Sequence, residues 1–226
     1  MILYLFDIDG TLLHARRSGR KAFDLVFARD HGIDRACEGM SFGGKTDPAL
    51  IDEIFQAHRG RPATGAERDA FLAAYLPLLQ RELTEGGIDI LDGVVETLTW
   101  LADQPDVVLG VATGNVQAGA EAKLALAGLG GRFALGGYGS DSHLRPALVA
   151  AAIERARERG PIDRVVVVGD TVHDISAARA CGAIACAVST GADPAPALAH
   201  ADVVFASLAE LPAWHTRQFA RDHIVG

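Results

Sequence analysis

The 226-residue sequence has few cysteines, few lysines and no long apolar run. The three cysteines, Cys37, Cys181 and Cys186, show no CxxC spacing, and three is an odd number for a disulfide framework. Cys181 and Cys186 lie in apolar surroundings, and we interpret these two as small buried residues. No run approaches the roughly 18 apolar residues that span a bilayer, so we expect no membrane partner. A net charge of −8 argues against a nucleic-acid partner, because phosphate backbones select for an excess of Lys and Arg.

The remaining composition is that of a globular protein, with 49% hydrophobic and 22% charged residues. The length predicts one domain, or one domain that carries a smaller insertion. The segment MILYLFDIDG meets two acids by position 9 and has no basic leader or small-residue cleavage site. We therefore expect no signal peptide and a cytoplasmic location. The sequence is compatible with a monomer or a homodimer.

Short apolar runs predict the strands of a buried sheet. They are residues 1–6, 107–112, 165–168, 184–188 and 203–205. Because these runs are continuous rather than alternating, the sheet should be covered on both faces. Helical patterns lie at residues 116–127, 147–159 and 175–181, between the later runs. This alternation predicts an α/β fold with a doubly wound parallel sheet.

The segment between the first two predicted strands contains helical patterns only, at residues 19–30, 48–57 and 66–83. About seventy residues are too many for an ordinary connection. We predict a helical cap subdomain at 16–86, inserted into a core formed by 1–15 and 87–226. It should lie over the carboxyl ends of the strands, where open α/β sheets bind ligands. Its core should contain residues at helical spacing, namely Phe23, Phe27, Ile51, Ile54 and Phe55.

Two carboxylates follow the first predicted strand, in the segment Asp7-Ile8-Asp9-Gly10-Thr11. Residues two apart at a strand end can point to the same side. Gly10 lets the backbone turn sharply and approach a ligand closely. An acid pair with glycine is also an everyday turn, so this motif alone does not decide between the two readings.

Two more carboxylates follow the valine-rich run at 165–168. A carboxylate at Asp170, directly after this run, should be poorly solvated, and it needs a cation or several donors to stay charged. Magnesium suits this position, because it takes one or two carboxylates and keeps waters and phosphate oxygens as its other ligands. Asp174 lies one turn later, where an acid is also a common helix cap.

A phosphate-binding segment is predicted at Thr113-Gly114-Asn115, after the strand at 107–112. A hydroxyl, a flexible glycine amide and a helix N-terminus together can hold a phosphate. The alternative is an ordinary helix cap at Thr113 or Asn115. Arg145 opens a helix before Pro146 and would place a cation against the same phosphate, unless it is a surface arginine.

These motifs, in this order, resemble the haloacid dehalogenase superfamily: DIDGT after the first strand, Thr after the second, a basic residue before Pro, and GDxxxD. The insertion is similar to the family's type 1 cap. The layout, including Gly44-Lys45-Thr46-Asp47, most resembles the phosphoglycolate phosphatase and β-phosphoglucomutase branch. The resemblance implies a Rossmann-like core and a Mg²⁺-dependent phosphatase that acts on a small phosphorylated metabolite such as phosphoglycolate.

The resemblance also implies roles for individual residues. Asp7 would be the nucleophile that forms an aspartyl phosphate, and Asp9 the general acid and then base. The implied magnesium ligands are Asp7, the backbone carbonyl of Asp9, Asp170 and Asp174. The implied phosphate-binding groups are Thr113, Asn115 and the loop amides at Gly10, Thr11 and Gly114.

Two positions bear on the activity within this family. The dehalogenases that named it lack an acid at the position of Asp9, so Asp9 favours phosphate ester chemistry. Arg145 stands where the family usually has Lys, and none of the three lysines, Lys21, Lys45 and Lys123, matches that position. Arg keeps the positive charge and can bind phosphate through two N–H groups, but it is planar and reaches differently.

In the insertion, Lys45 is the best candidate for substrate contact. His14, Arg16, Arg17 and Arg20 lie near the hinge, where they could meet an anionic substrate tail. Two alternatives to a phosphatase stay open at this point. A phosphosugar mutase would pass the phosphoryl group to a sugar hydroxyl, and a non-catalytic binding module would use the same fold.

Overall fold

The fold is built on a parallel sheet between two layers of helices, in a computed structural model that describes residues 1–219. In chain order the strands are β1 (Ile2–Phe6), β2 (Leu13–His14), β3 (Asp89–Ile90), β4 (Val107–Thr113), β5 (Leu135–Tyr138), β6 (Arg164–Gly169), β7 (Ile184–Val188) and β8 (Val203–Phe205). The helices are α1 (Ser18–His31), α2 (Asp47–Arg59), α3 (Gly65–Gly86), α4 (Val94–Ala102), α5 (Gln117–Leu126), α6 (Arg145–Arg157), α7 (Val172–Ala180) and α8 (Leu211–Phe219).

The main sheet has the strand order β5-β4-β1-β6-β7-β8, and all of its neighbouring strands are parallel. Alternate residues of β1 belong to two different apolar clusters. Leu3 and Leu5 pack in the cluster that contains α6 and α7, while Tyr4 and Phe6 pack in the cluster that contains α4 and α8. Both faces are therefore covered, which explains the continuous apolar runs and confirms the doubly wound α/β fold.

All five predicted strands are present, but β2, β3, β5, α4 and α8 were not predicted from the sequence. β5 has the sequence LGGY, and two adjacent glycines leave no apolar run to recognise. It forms a strand because it pairs with β4, a tertiary contact that overrides the weak local preference. Two predicted helices also begin earlier than expected, α6 at Arg145 and α7 at Val172. None of the helices within residues 1–219 has the length and apolar character to cross a membrane.

The insertion consists of α1, α2 and α3, and it joins the core through the short strands β2 and β3. These two strands pair antiparallel, with His14 opposite Asp89. The five apolar residues expected in the insertion's core are fully buried, which confirms that prediction. Phe27 packs against Phe71 with ring centroids 4.7 Å apart. The division into a core and a cap at 16–86 stays a prediction.

The sheet brings three strand ends to one place. Phe6, at the end of β1, is level with Val111 in β4 and with Val168 in β6. Since the strands are parallel, the residues that follow them emerge at the same edge. The strand order also reverses at β1, and open α/β sheets bind ligands at such a point.

Candidate active site

A cavity of about 660 Å³ lies at this edge, between the strand ends and the insertion. The predicted site residues that line it are Asp7, Asp9, Gly10, Lys45, Thr113, Gly114, Asn115, Arg145 and Asp170. Thr11 and Asp174 do not line the cavity, but their side chains contact residues that do. The structure therefore gathers the residues predicted from separate motifs around one space.

Arg145 lies beneath the cavity and joins two carboxylates. Its Nη2 is 3.0 Å from Oδ1 of Asp7, and its Nε donates a hydrogen bond to Oδ1 of Asp174 at 2.8 Å. Arg145 is buried, so the reading as a surface arginine is wrong. Although burial disfavours its charge, the two carboxylates raise the pKa of Arg145. A permanent cation therefore faces the predicted nucleophile.

Each carboxylate oxygen of Asp170 accepts a hydrogen bond from a neighbouring loop. The hydroxyl of Thr11 donates to its Oδ1 at 3.3 Å, and the backbone N–H of Ala192 donates to its Oδ2 at 2.7 Å. Gly10 has φ 85°, and a Cβ there would lie 2.5 Å from Oδ2 of Asp170. Only glycine fits the close approach of these two loops.

Asp174 has two functions in the structure. Its Oδ2 accepts hydrogen bonds from the backbone N–H and the hydroxyl of Thr171, at 3.0 and 2.7 Å, which caps the start of α7. Its other oxygen binds Arg145. The capping role weighed from the sequence is thus present together with a place beside Asp7.

Asp7, Asp170 and Asp174 form a buried group that we name the three-carboxylate cluster; one oxygen of each lies within 4.8 Å of the others. Burial, outweighing Arg145, raises the pKa of Asp7 to about 6, and the neighbouring acids add to this. Burial and the charges of Asp7 and Asp174 raise the pKa of Asp170 to about 8. Three carboxylates beside one arginine fit a hard divalent cation with oxygen ligands. The side chain of Asp9 lies outside this group.

Asp9 instead binds Lys123, a site residue that the sequence analysis missed. Lys123 Nζ donates to Oδ2 of Asp9 at 2.6 Å and to Oδ1 of Asn115 at 2.7 Å. Burial would raise the pKa of Asp9, but Lys123 and a hydrogen bond from Asn115 lower it overall. The signal was present in α5, where Lys123 takes a place among the buried residues Ala120 and Leu124. A lysine in an apolar stripe needs a partner.

Thr113 and Asn115 form a small polar unit beside Asp9. The hydroxyl oxygen of Thr113 accepts hydrogen bonds from the backbone N–H of Asn115 at 3.3 Å and from its Nδ2 at 2.8 Å. The residue preceding α5 is Val116, so neither Thr113 nor Asn115 caps that helix as the alternative reading required. A Cβ on Gly114 would lie 2.1 Å from the carbonyl oxygen of Lys45, so the insertion packs directly on this loop.

Asp47 fastens the insertion to the same loop. Its carboxylate accepts a hydrogen bond from the N–H of Val116 at 2.9 Å, and its own N–H donates to the carbonyl of Gly114 at 2.8 Å. Burial raises the pKa of Asp47 to about 6, although Lys123 and the Val116 hydrogen bond oppose this. In the sequence, only the family resemblance pointed to this segment, and no local pattern indicated that Asp47 contacts the core.

The basic residues expected to contact a substrate differ in whether their side chains already have partners in the protein. Three of them have partners: Lys45 pairs with Glu53 at 2.6 Å, Arg16 with Asp89 at 2.7 Å, and Arg20 donates to two backbone carbonyls. Arg17 lines the cavity and has no ion pair or side-chain hydrogen bond within residues 1–219. His14 also lines the cavity.

Comparisons with known proteins identify the family of this chain and similar folds. The model of the haloacid dehalogenase-like hydrolase family matches residues 3–182. The solved structure of CbbY from Rhodobacter sphaeroides with phosphate has a TM-score of 0.73 and 22% identity, covering 92% of this chain and 95% of CbbY. A hydrolase from Pseudomonas syringae gives a TM-score of 0.70 at 21% identity over 100% of both chains. A Bacteroides vulgatus protein, provisionally named a beta-phosphoglucomutase, gives 0.72 at 21% identity over 97% of this chain and 90% of its own. Among curated proteins, none matches this chain.

Proposed function

Because this chain belongs to the haloacid dehalogenase-like hydrolases, we propose that it is a Mg²⁺-dependent phosphatase that acts through an aspartyl phosphate on Asp7. The observation that carries the proposal is the position of Asp7. Its buried carboxylate lies at the cavity, beside the guanidinium of Arg145 and within the three-carboxylate cluster. A nucleophile beside a guanidinium, in a group of carboxylates that can bind a divalent cation, suits phosphoryl transfer, which depends mainly on positioning and on neutralising charge on the phosphoryl oxygens.

Magnesium fits the donor set of this chain. Asp7, Asp170 and Asp174 would hold it, and the backbone carbonyl of Asp9 is a further proposed ligand. Bound there, the ion would neutralise charge on the phosphoryl oxygens and allow Asp7 to stay ionised. Without the metal ion, burial and the neighbouring carboxylates outweigh Arg145 and raise the pKa of Asp7 to about 6, so Asp7 becomes protonated as the pH falls through that value.

In the first step, an oxygen of Asp7 attacks phosphorus while the bond from phosphorus to the ester oxygen breaks. Before the substrate binds, Lys123 and Asn115 favour the carboxylate form of Asp9, whereas an incoming anionic phosphate ester adds negative charge beside it and favours the protonated form. Protonated Asp9 then gives its proton to the departing oxygen, so an alcohol leaves and Asp7 carries the phosphoryl group. Arg145 stabilises the negative charge of Asp7 before attack. Thr113, Asn115 and the loop amides at Gly10, Thr11 and Gly114 are the proposed donors to the phosphoryl oxygens.

In the second step, water attacks the phosphorus of the aspartyl phosphate and Asp9 takes a proton from that water. The bond between phosphorus and the Asp7 oxygen breaks, which releases inorganic phosphate and restores the carboxylate of Asp7. Asp9 ends the cycle protonated and ready for the next ester.

The substrate we propose is a small anionic phosphate ester, with phosphoglycolate as one instance. A cavity of about 660 Å³ is the size of a small-molecule site. Arg17 lines the cavity and has no anionic partner among residues 1–219, and Lys45 is a second cation there that is shared with Glu53. CbbY, which has a similar fold, has been solved in complex with phosphate, and a mutant of CbbY in complex with xylulose-(1,5)bisphosphate; both ligands are small anions.

The test is phosphate release from a panel of small phosphate esters, with Mg²⁺ or with a chelator. The parent should release phosphate only with the metal, and Asp7→Asn should lose at least about 10³-fold in kcat because no acyl phosphate can form. Asp69→Asn is the matched control, since Asp69 is exposed on α3. Full activity of Asp7→Asn, or no release from any ester by the parent, would refute the proposal.

A phosphosugar mutase is the second candidate, and the contact between insertion and core favours it. The Lys45 carbonyl packs against Gly114 and Asp47 binds Val116, so the insertion contacts the loop after β4 directly, as a mutase would need in order to keep water from the phosphoryl group. The Bacteroides vulgatus neighbour bears a mutase name. Product analysis with β-glucose 1-phosphate separates the two, because isomer formation indicates a mutase and free phosphate a hydrolase.

A further inference from the structure

Lys123 is a buried lysine that the proposed mechanism does not yet use. It is 4% exposed, and it reaches the cavity from the middle of α5. Burying an ammonium group costs free energy, and a hydrophobic residue of similar volume is often equally stable or more stable at such a position. The presence of a lysine here therefore suggests that its ammonium group, and the contacts that this group makes, have a function.

The contacts of Lys123 fix one oxygen of Asp9. Both Lys123 Nζ and Asn115 Nδ2 donate to Oδ2 of Asp9, at 2.6 and 2.8 Å. Among residues 1–219, no side chain or backbone group donates a hydrogen bond to the other oxygen, Oδ1. The Asp9 side chain is 42% exposed although its partner Lys123 is buried. Asp9 is thus held by one oxygen and leaves the other available in the cavity.

Lys123 also orders the second donor. It donates to Oδ1 of Asn115, whose Nδ2 in turn donates to both Asp9 and Thr113. An amide with its carbonyl side tied to an ammonium group must direct its NH₂ side elsewhere. Lys123 therefore acts on Asp9 twice, once directly and once by setting the orientation of Asn115.

We infer that Lys123 is a positioning residue that aims Oδ1 of Asp9 at the ester oxygen of the substrate. The inference rests on the proposed function, in which Asp9 gives that oxygen a proton. The proton moves from Oδ1 to the ester oxygen as the phosphorus–oxygen bond breaks, and it returns from the attacking water in the second step. A carboxylate free to rotate would present this oxygen in fewer encounters, so proton transfer would slow.

The effect of losing Lys123 on the rate should depend on the leaving group of the ester. An alkoxide is a poor leaving group and needs the proton, whereas p-nitrophenolate leaves readily without one. If Asp9 is no longer correctly oriented, the hydrolysis of alkyl phosphates should therefore slow far more than that of p-nitrophenyl phosphate. A purely structural role of Lys123 would slow both esters by the same factor.

The experiment compares kcat on phosphoglycolate, or on whichever alkyl phosphate the parent hydrolyses fastest, with kcat on p-nitrophenyl phosphate. Lys123→Met should lower the alkyl rate by about 10²-fold and the aryl rate by less than about threefold. Asp9→Asn should show the same selectivity, and adding Lys123→Met to it should cost little more. Lys21→Met, at an exposed lysine of α1, is the control.

Lys123→Arg, which keeps a charged donor, should recover part of the alkyl rate. If Lys123→Met does not fold, Lys123→Gln takes its place in the same comparison, since Gln keeps a donor without the charge. Equal loss on both esters in the folded Lys123 variant, with selective loss in Asp9→Asn, overturns the inference and leaves the proposed function intact. Unselective or absent loss in Asp9→Asn overturns the role of Asp9 itself.

Discussion

The floor of the cavity carries two groups of carboxylates whose charge is balanced in different ways. The three-carboxylate cluster sets Asp7, Asp170 and Asp174 against one cation, Arg145. Beside it, Asp9 has its own partner in Lys123. The first environment raises the pKa values of Asp7 and Asp170, and the second lowers that of Asp9.

Burial alone does not decide in which direction the pKa of a carboxylate shifts in this cavity. The pKa values of Asp7 and Asp170 are raised and that of Asp9 is lowered, although all three line the same cavity, because their neighbours differ in charge. The three-carboxylate cluster has a deficit of positive charge, which a cation from solution can supply. The pair of Asp9 and Lys123 is already complete and needs no ion.

The largest effect is expected from Asp170→Asn. Removing one charge from the deficient cluster should lower Mg²⁺-dependent phosphate release by about 10³-fold or more, because a proposed metal ligand is lost. The same change relieves repulsion, so the variant in chelator should melt at a higher temperature than the parent. In the parent, saturating Mg²⁺ should raise the melting temperature by about 3–8 °C, and in Asp170→Asn by little.

Thermal melts with and without Mg²⁺ measure this, with Asp69→Asn as the control at an exposed aspartate. A parent that melts at the same temperature in Mg²⁺ and in chelator would contradict the charge deficit assigned to the three-carboxylate cluster.

A smaller effect is expected at Arg145, where charge and shape can be separated. Arg145→Met leaves three buried carboxylates without a cation, so kcat should fall by about 10²-fold and the metal-free protein should lose about 3 kcal/mol. Arg145→Lys keeps the charge but not the second N–H contact, and we expect its kcat within about tenfold of the parent. Urea denaturation and phosphate release measure the two effects; equal kcat in the Lys and Met variants would show that charge is not what Arg145 supplies.

The smallest effect is expected at Asp47, which lies near Lys123 but has a pKa raised to about 6 by burial. A folded-state pKa above the unfolded value of about 4 means that the folded state holds the proton more tightly between these values. This group therefore reduces stability as pH rises from about 4 to about 6. Asp47→Asn should be more stable than the parent at pH 7, by about 1–3 kcal/mol, and the difference should vanish near pH 4.

Urea denaturation of both proteins at several pH values gives this difference directly. Arg145→Lys at the same pH values serves as the reference for the neighbouring cluster. A stability difference that does not change between pH 4 and pH 7 would show that Asp47 titrates as it does in the unfolded chain.

The sequence allowed the sheet and most of the cavity lining to be predicted, because strand ends carry residues that local patterns identify. Asp7 directly follows an apolar run and Asp170 follows one after a single glycine, and their position at one edge follows from parallel pairing. β5 could not be found in this way, since Gly136 and Gly137 have no strand preference and the strand exists through its pairing with β4.

Lys123 was missed for a different reason. Its partner Asp9 lies 114 residues away, and no spacing rule connects two residues so far apart. The local pattern of α5 indicated only that a lysine lies on the buried face of this helix. Pairing across the fold, as with Asp47 and Val116, requires the relative placement of insertion and core, which hydrophobic periodicity does not encode.

The pairing of β2 with β3 has a consequence for how such a protein can change over time. His14 and Asp89 face each other, so the chain leaves the core and returns to it through neighbouring backbone positions. Whatever lies between them can be lengthened, shortened or exchanged while both ends stay in register, because the main sheet does not use that segment for its own hydrogen bonds. Diversification of ligand choice can therefore proceed in residues 16–86 while the reacting groups on the strand ends keep their places.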